Sequence, residues 1–329
     1  MKYTKEYIDD INIINKIKNI DHIDGANILV TGARGTIGSC VVDMLCMLKE
    51  NNKNIKIVCA GRNIESIKKR FSNWLDSYTY IKYDATLNLP LQDKYDFIIH
   101  CASNANPVFY TENPVNTILS NIIGTNVVFN SYVPSKYGNC IYISTSEVYG
   151  KLEAKKIYKE DDYGFVDILS LRSTYPNAKR LAETLCIAHI KEFNSRISIA
   201  RPGHIYGPTF INSDTRVSAE FARRASKKEN IILKSKGQQL RSYCYVCDCA
   251  SAILYILLNG KSGEAYNISD KNSIISIYQL AEYFSSASNV KIVYSIPDDN
   301  DVKRFNVMES SALDSTKLEN LGWEPITDI

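Results

Sequence analysis

Asn27-Ile28-Leu29-Val30-Thr31-Gly32-Ala33-Arg34-Gly35-Thr36-Ile37-Gly38 is the stretch on which the reading of this chain turns. Ile28, Leu29 and Val30 make a short apolar run of the kind shown by a strand buried on both faces. Glycines at 32, 35 and 38 follow, and the residues from Thr36 to about Lys49 suit a helix. Strand, glycine-rich turn and helix in that order are the context a dinucleotide fingerprint requires. Without side chains, the turn lets backbone N–H groups approach a pyrophosphate at the positive end of the helix. Gly32, Arg34, Gly35, Thr36, Ile37 and Gly38 are therefore the first expected cofactor contacts.

The same rhythm continues downstream. A second strand runs from Ile55 to Ala60 and gives way to a helix from Ile64 to Trp74. Tyr80 to Tyr83 and Phe97 to Cys101 read as further strands, Val115 to Val133 as a helix and Cys140 to Ser144 as another strand. Strands alternating with helices argue for a doubly wound α/β fold, a parallel sheet covered on both faces. Upstream, Ile8, Ile11, Ile14 and Ile17 are spaced as one helical face and predict a leading helix within residues 1–24. After Arg201-Pro202-Gly203 the rhythm becomes irregular, so the dinucleotide domain spans 25–203. A smaller lobe of mixed α/β character takes 204–329, with 243–260 returning to the first domain.

Composition bounds the function. Of 329 residues, 39 are Lys or Arg and 36 are Asp or Glu, a net charge of +3 with no long block of one sign. Binding to a nucleic-acid backbone needs a concentrated basic surface, so that class of partner is not expected. The longest apolar run, Ala250 to Leu258, is too short to span a membrane. The first twenty residues are broken by charges throughout, unlike a signal peptide. The expectation is a soluble, cytoplasmic protein. Nine cysteines, mostly single within apolar runs, fit a reducing compartment. Cys244-x-x-Cys247-x-Cys249 has the look of half a zinc site, but no second Cys or His pair stands at ligand spacing. It reads instead as a strand passing into a buried helix, and no metal is expected.

Which dinucleotide the chain takes is written at the end of the second strand. Enzymes that use NAD place an acid there for the ribose hydroxyl, whereas this strand ends Cys59-Ala60-Gly61-Arg62-Asn63. Arg62, with Arg34 in the glycine turn, offers guanidinium donors that suit a 2′-phosphate better than a bare hydroxyl. NADP(H) is the expected cofactor, with Asn63 beside it; the plain alternative is two solvated surface arginines. Asp84, after the third strand, is placed either to accept from the adenine amino group or to act as an ordinary turn residue.

Chemistry is carried by two further motifs. In Tyr175-Pro176-Asn177-Ala178-Lys179 the phenol and the ammonium lie on one helical face. A cation near the phenol favours phenolate and lowers its pKa, making Tyr175 a usable acid or base near neutrality. Tyr-x-x-x-Lys alone is weak evidence in a chain with 22 tyrosines. The corroborating motif is Tyr142-Ile143-Ser144-Thr145-Ser146-Glu147-Val148-Tyr149-Gly150, which puts hydroxyls at the carboxyl end of a strand, where open α/β sheets bind ligands.

Taken with Arg201-Pro202-Gly203-His204-Ile205-Tyr206-Gly207-Pro208 and Gly237-Gln238-x-x-Arg241-Ser242-Tyr243, these motifs resemble the extended short-chain dehydrogenase/reductases that act on nucleotide sugars. Among them the chain looks most like UDP-glucuronate decarboxylases and nucleotide-sugar dehydratases. The resemblance implies a Rossmann domain, a C-terminal lobe that closes over a nucleoside diphosphate, and a catalytic set of Thr145, Tyr175 and Lys179. It also implies Ala102 and Lys179 against the cofactor, and Ser103, Asn104, Ser146, His204, Arg216 and Arg241 around the substrate. A homodimer through a four-helix contact is common in such enzymes. Two departures stand out. Dehydratases of the dTDP-glucose type read Thr-Asp-Glu where this chain has Thr145-Ser146-Glu147, and His204 replaces a more usual asparagine. Glu147 is left with either a catalytic or a structural role. Three functions follow: a net NADPH-dependent reductase of a nucleotide-linked keto sugar, a dehydratase, decarboxylase or epimerase that recycles its cofactor, and a non-catalytic binding protein. The first is the expectation; the chain is also similar to a subgroup that looks to reduce CDP-linked ketoses, which implies a CDP-linked polyol for cell-surface polysaccharide. The intact Thr145, Tyr175 and Lys179 set argues against the third.

Overall fold

The computed structural model describes residues 3–152, 157–211, 213–295 and 310–327. Residues 296–309 of the expected substrate lobe lie outside the described residues. In chain order the strands are β1 (Asn27–Thr31), β2 (Lys56–Gly61), β3 (Thr79–Lys82), β4 (Phe97–His100), β5 (Asn139–Ile143), β6 (Ile157–Tyr158), β7 (Ile197–Pro202), β8 (His204–Tyr206), β9 (Ile231–Leu233), β10 (Leu240–Tyr245), β11 (Ala265–Ile268), β12 (Ile274–Ser276), β13 (Ile292–Tyr294) and β14 (Ser310–Leu313). The helices are α1 (Lys5–Ile11), α2 (Thr36–Glu50), α3 (Ile64–Arg70), α4 (Pro107–Glu112), α5 (Pro114–Phe129), α6 (Thr174–Phe193), α7 (Val217–Ser226), α8 (Val246–Asn259), α9 (Ile277–Ser288) and the short α10 (Thr316–Glu319).

A seven-stranded sheet in the order β11-β7-β5-β4-β1-β2-β3 forms the larger part, and every pairing in it is parallel. The order reverses between β1 and β4. In open α/β sheets that reversal opens a crevice at the carboxyl ends of the strands, and ligands bind there. Alternation along β1 explains why the sheet is covered twice. Ile28 and Val30 pack with Met44, Leu45 and Ile253 of α2 and α8, whereas Leu29 packs with Val127, Val128 and Ala182 of α5 and α6. No helix among the described residues is long and apolar enough to cross a membrane.

The smaller lobe is a mixed sheet, β12-β10-β14-β6 with β8 also on β10, plus the pair β13-β9 and helices α7 and α9. The chain already supplies β6 to it from within 25–203, which corrects that expected boundary, and then passes from β7 to β8 through the single residue Gly203. It returns without any linker, Tyr245 of β10 being followed by Val246 of α8. The return is longer than 243–260, because β11 adds an edge strand to the main sheet as far as Ile268. Cys244, Cys247 and Cys249 sit on this strand-to-helix passage, all buried.

The leading segment differs from the single helix that its isoleucines suggest. Only Lys5–Ile11 is α-helical, and tighter 3₁₀ turns follow over Asn12–Lys16 and Ile20–Ile23. The reason lies in the spacing. Ile11, Ile14, Ile17, Ile20 and Ile23 are all buried and recur every three residues, which matches three residues per turn rather than 3.6. Asp43 of α2 anchors the start of the segment, accepting from Tyr7 Oη at 2.6 Å and Trp74 Nε1 at 3.0 Å and pairing with Arg70.

Candidate active site

The crevice begins at the glycine turn. Gly35 caps α2 without any side-chain hydrogen bond, so the first N–H groups of a 15-residue helix point at the space above the sheet. Gly32 has φ +62°, and a Cβ on Gly38 would stand 2.5 Å from the Gly32 carbonyl oxygen. Only glycine lets the turn fold this tightly, and the cradle fits a pyrophosphate. Thr36 faces the lobe, its hydroxyl receiving Arg216 Nη2 at 3.3 Å and its carbonyl receiving Thr209 Oγ1 at 2.8 Å. Ile37 is half-buried in the first turn of α2.

Arg34 and Arg62 are both exposed, at the carboxyl ends of β1 and β2. Asn63 caps α3, accepting from Ser66 N at 2.9 Å. Asp84 accepts from both the N–H (3.0 Å) and the hydroxyl (2.8 Å) of Thr86, the geometry of a turn residue. Partial burial works to raise its pKa, but those two bonds and the charge of Arg62 outweigh it and lower the carboxyl below its ordinary value. Across the switch point, Ala102 N donates to Thr31 Oγ1 at 3.2 Å. Ser103 keeps a buried hydroxyl with no protein partner, and Asn104 accepts from Asn106 N at 3.2 Å.

Thr145, Tyr175 and Glu147 are brought together. Thr145 caps a 3₁₀ turn over Ser146–Tyr149, its hydroxyl accepting from Glu147 N at 3.3 Å, Ser146 is buried in that turn, and the same hydroxyl favours ionisation of the nearby Tyr175 phenol. Tyr175 sits in the first turn of α6 with 5% of its surface exposed. Its phenol departs from the expectation that Lys179 tunes it toward phenolate. Burial pushes it well above the ordinary value and the Glu147 carboxylate adds to this, against the Thr145 hydroxyl and the charges of Arg216 and Arg172. Lys179 Nζ lies 5.8 Å from the Tyr175 ring centre and donates to the Ile143 carbonyl at 2.6 Å. Burial lowers the pKa of Lys179 itself to about 7. That is a stability statement. The unfolded lysine ionises near 10.4, so folding costs most below pH 7 and the cost fades as pH rises between the two values. Lys179→Met should therefore gain stability over the wild type at pH 6, and the gap should narrow by about 1.4 kcal/mol per pH unit from 7 to 10. Parallel denaturation curves at several pH values check this, and a gap independent of pH refutes it.

The lobe supplies the far wall. His204 of β8 is pressed between the charges of Arg241 and Arg216; burial first and those charges second lower its pKa to about 3, so it is a neutral imidazole. Its Nδ1 is buried with no protein partner. Arg216 pairs with Asp214, which takes its Nη2 at 2.6 Å and its Nε at 3.0 Å. Arg241 is 4% exposed and donates to the Leu240 carbonyl at 2.7 Å.

A family description fits this arrangement along most of its length: residues 28–269 match the model of the NAD dependent epimerase/dehydratase family. The chain belongs to that family. Its relatives include UDP-glucuronic acid decarboxylase 3 of Arabidopsis thaliana, 33% identical over 305 residues that cover 91% of this chain and 84% of the plant protein. UDP-glucuronic acid decarboxylase 1 of Xenopus tropicalis is 28% identical, covering 95% of this chain and 72% of the frog protein. Among solved structures, a Thermotoga maritima UDP-glucose 4-epimerase with UDP-glucose aligns with TM-score 0.74 at 24% identity, over 92% of this chain and 94% of the epimerase. A dTDP-glucose 4,6-dehydratase of Bacillus anthracis in complex with NAD aligns with TM-score 0.71 at 21% identity over 92% of each chain. These two share the fold, a parallel α/β sheet of the Rossmann type.

Two residues in this member of the family escape a reading by motif. Arg172 lies three positions before Tyr175 and grips Glu147 with both arms of its guanidinium, at 2.8 and 3.0 Å. Tyr110 of α4 stacks on Tyr175 with ring centres 5.2 Å apart and planes within 6°. One turn of helix separates Arg172 from Tyr175, which was the available signal for the first; nothing in the local sequence marks Tyr110.

Proposed function

We propose that this protein is an NADP(H)-dependent oxidoreductase of a nucleotide-linked sugar, acting as a net reductase of a keto sugar. The observation that carries the reading is the Glu147–Arg172 pair. Both carboxylate oxygens of Glu147 are taken by one guanidinium, so Glu147 is poorly placed to strip a proton from a sugar carbon. Elimination of water, which needs such a base, is disfavoured. Hydride transfer to a keto carbon needs only a proton donor, and Tyr175 is that donor, with Thr145 sharing the bond to the keto oxygen.

A bound nicotinamide supplies the hydride. The glycine turn and the open end of α2 hold the pyrophosphate, Lys179 faces the nicotinamide ribose, and Ser103, Asn104, Ser146, His204 and Arg241 line the nucleotide-sugar side. Arg34 and Arg62, exposed and with no acid at the end of β2, receive the 2′-phosphate of NADP. A net reductase draws on a reduced pool, which agrees with that preference. Arg62→Ala should weaken NADPH by about one to two decades, the loss of one charge-assisted contact, and leave NADH nearly unchanged. Calorimetric titration of both dinucleotides decides it; equal affinities in the wild type count against the NADP assignment.

The second reading is oxidative decarboxylation with a recycled cofactor, favoured by the 33% identity to a UDP-glucuronic acid decarboxylase over 91% of the chain. Decarboxylation also needs no carbon base, so the Glu147–Arg172 pair is compatible with it. One experiment separates the two. With NADPH and CDP- or UDP-linked keto sugars, a reductase lowers the absorbance of reduced nicotinamide one-for-one with product. Carbon dioxide released from UDP-glucuronate at constant absorbance overturns net reduction and establishes the second reading.

A further inference from the structure

We propose that Arg172 is a positioning residue of this site: it cancels the charge of Glu147 and, through the Tyr110 ring, fixes the plane of the Tyr175 phenol. The inference rests on Tyr175 as the proton carrier and goes beyond the three residues that the motifs supply.

The geometry is a stack. The Arg172 guanidinium carbon lies 5.1 Å from the centre of Tyr110, and Tyr110 in turn lies flat against Tyr175. Arg172 occupies the 3₁₀ turn Leu171–Ser173, which runs straight into α6 at Thr174, so its backbone and that of Tyr175 move as one piece. The other end of the stack is the fork on Glu147, which is 20% exposed in its side chain, with Arg172 at 14%. Breaking an ion pair this sheltered costs more than breaking a surface one, because removal of one partner leaves an uncompensated charge. That charge would stand beside the reacting phenol. The hydroxyl of Tyr110 and the Nε of Arg172 are both buried without a protein partner, so neither is held by anything outside the stack.

The groups that face Tyr175 can be named element by element. Lys179 is on its own helix, Tyr110 on α4, Tyr142 on β5, Thr145 and Glu147 on the turn after β5, Arg172 before α6 and Arg216 at the start of α7. Of these, Glu147 is the one carboxylate acting on the phenol, and it disfavours phenolate; Arg216 and, after it, Arg172 oppose it, and of the two only Arg172 is hydrogen-bonded to Glu147. Arg216 is already committed to Asp214. Arg172 is therefore the cation that balances Glu147, and its loss must move the phenol toward its neutral form.

The test places 2,3,5-trifluorotyrosine at position 175 of the full chain, because ring fluorines bring phenol ionisation into the neutral range, and follows it by fluorine NMR as pH is raised. Arg172→Met should shift the midpoint upward by about one unit, and Glu147→Gln should shift it downward. The double variant should return close to the starting value, and Arg172→Lys, which keeps the charge, should move it little. A purely structural Arg172 would leave the midpoint unmoved in Arg172→Met, or leave the double variant displaced as far as Arg172→Met; either result overturns the proposal. If Arg172→Met does not fold, Glu147→Gln against the double variant carries the same comparison, with the double variant expected higher and equality refuting the idea. Failure of the underlying reading looks different: the midpoints behave as expected, yet Tyr175→Phe keeps its turnover.

Discussion

Tyr175→Phe lowers kcat by about 10²–10⁴-fold and leaves dinucleotide affinity almost unchanged, because one oxygen is removed from a ring that is otherwise packed the same way. The effect is large because the site holds few substitutes. Thr145 can still hydrogen-bond a keto oxygen, but its hydroxyl is a far weaker acid than a phenol, and Glu147 is occupied by Arg172. Lys179 is the competitor, since burial brings its pKa to about 7, yet its ammonium already donates to the Ile143 carbonyl at 2.6 Å. Stopped-flow turnover and equilibrium NADPH titration of the same preparation check the two halves of the expectation. A phenylalanine variant that kept more than about a tenth of wild-type kcat would transfer the donor's role to Lys179. In that event Lys179→Met, combined with Tyr175→Phe, would remove what remained.

Gly32→Ala is expected to abolish useful cofactor binding. The position has φ +62°, and a Cβ there would lie 2.7 Å from the Cys101 carbonyl oxygen and 2.8 Å from Ala102 N. Both obstacles are backbone, so no side chain can swing aside. Left-handed strain of about 1–2 kcal/mol and overpacking of about 1–3 kcal/mol together displace the turn proposed to cradle the pyrophosphate. Dinucleotide affinity should fall by at least about a hundredfold, which is some 2.7 kcal/mol, while the far-ultraviolet dichroism spectrum keeps its shape. Calorimetry with NADPH measures the loss. Affinity within about tenfold of wild type would mean that the turn is not the pyrophosphate cradle.

The fold was legible because its signals are local. An apolar run, three glycines and a helix at Asn27–Gly38 are set by short-range sterics, and the alternation that follows leaves few topologies. The leading segment was misread for a physical reason of its own. Over the four isoleucines from Ile8 to Ile17 a period of three is close enough to 3.6 to pass for an α-helical face, and only its continuation through Ile20 and Ile23, both buried, separates the two. The site divides along the same line. Thr145, Tyr175 and Lys179 belong to contiguous motifs, and the structure sets Thr145 against Tyr175 and keeps Lys179 on the same helix. The electrostatic state of Tyr175 was not legible, because it is set by burial and by Glu147 and Arg172 acting across separate elements. Tyr110 comes from α4 and meets Tyr175 only through tertiary packing. Arg216 adds a partner that its motif does not announce, the carboxylate of Asp214 two residues before it.

The one-residue passage at Gly203 and the direct run from Tyr245 into Val246 carry a consequence for how a ligand is enclosed. With the further crossings into β6 and from β11 to β12, these short joints leave the lobe little slack against the main sheet. Enclosing a ligand then forfeits little orientational freedom, because the lobe is already aimed at the crevice before the ligand arrives. The same joints make the boundary a poor place to divide the gene. A cut at Gly203 would strand α8 and β11 on the wrong fragment, taking an edge strand and one covering helix from the main sheet. The two lobes are separate in shape but cannot be inherited separately.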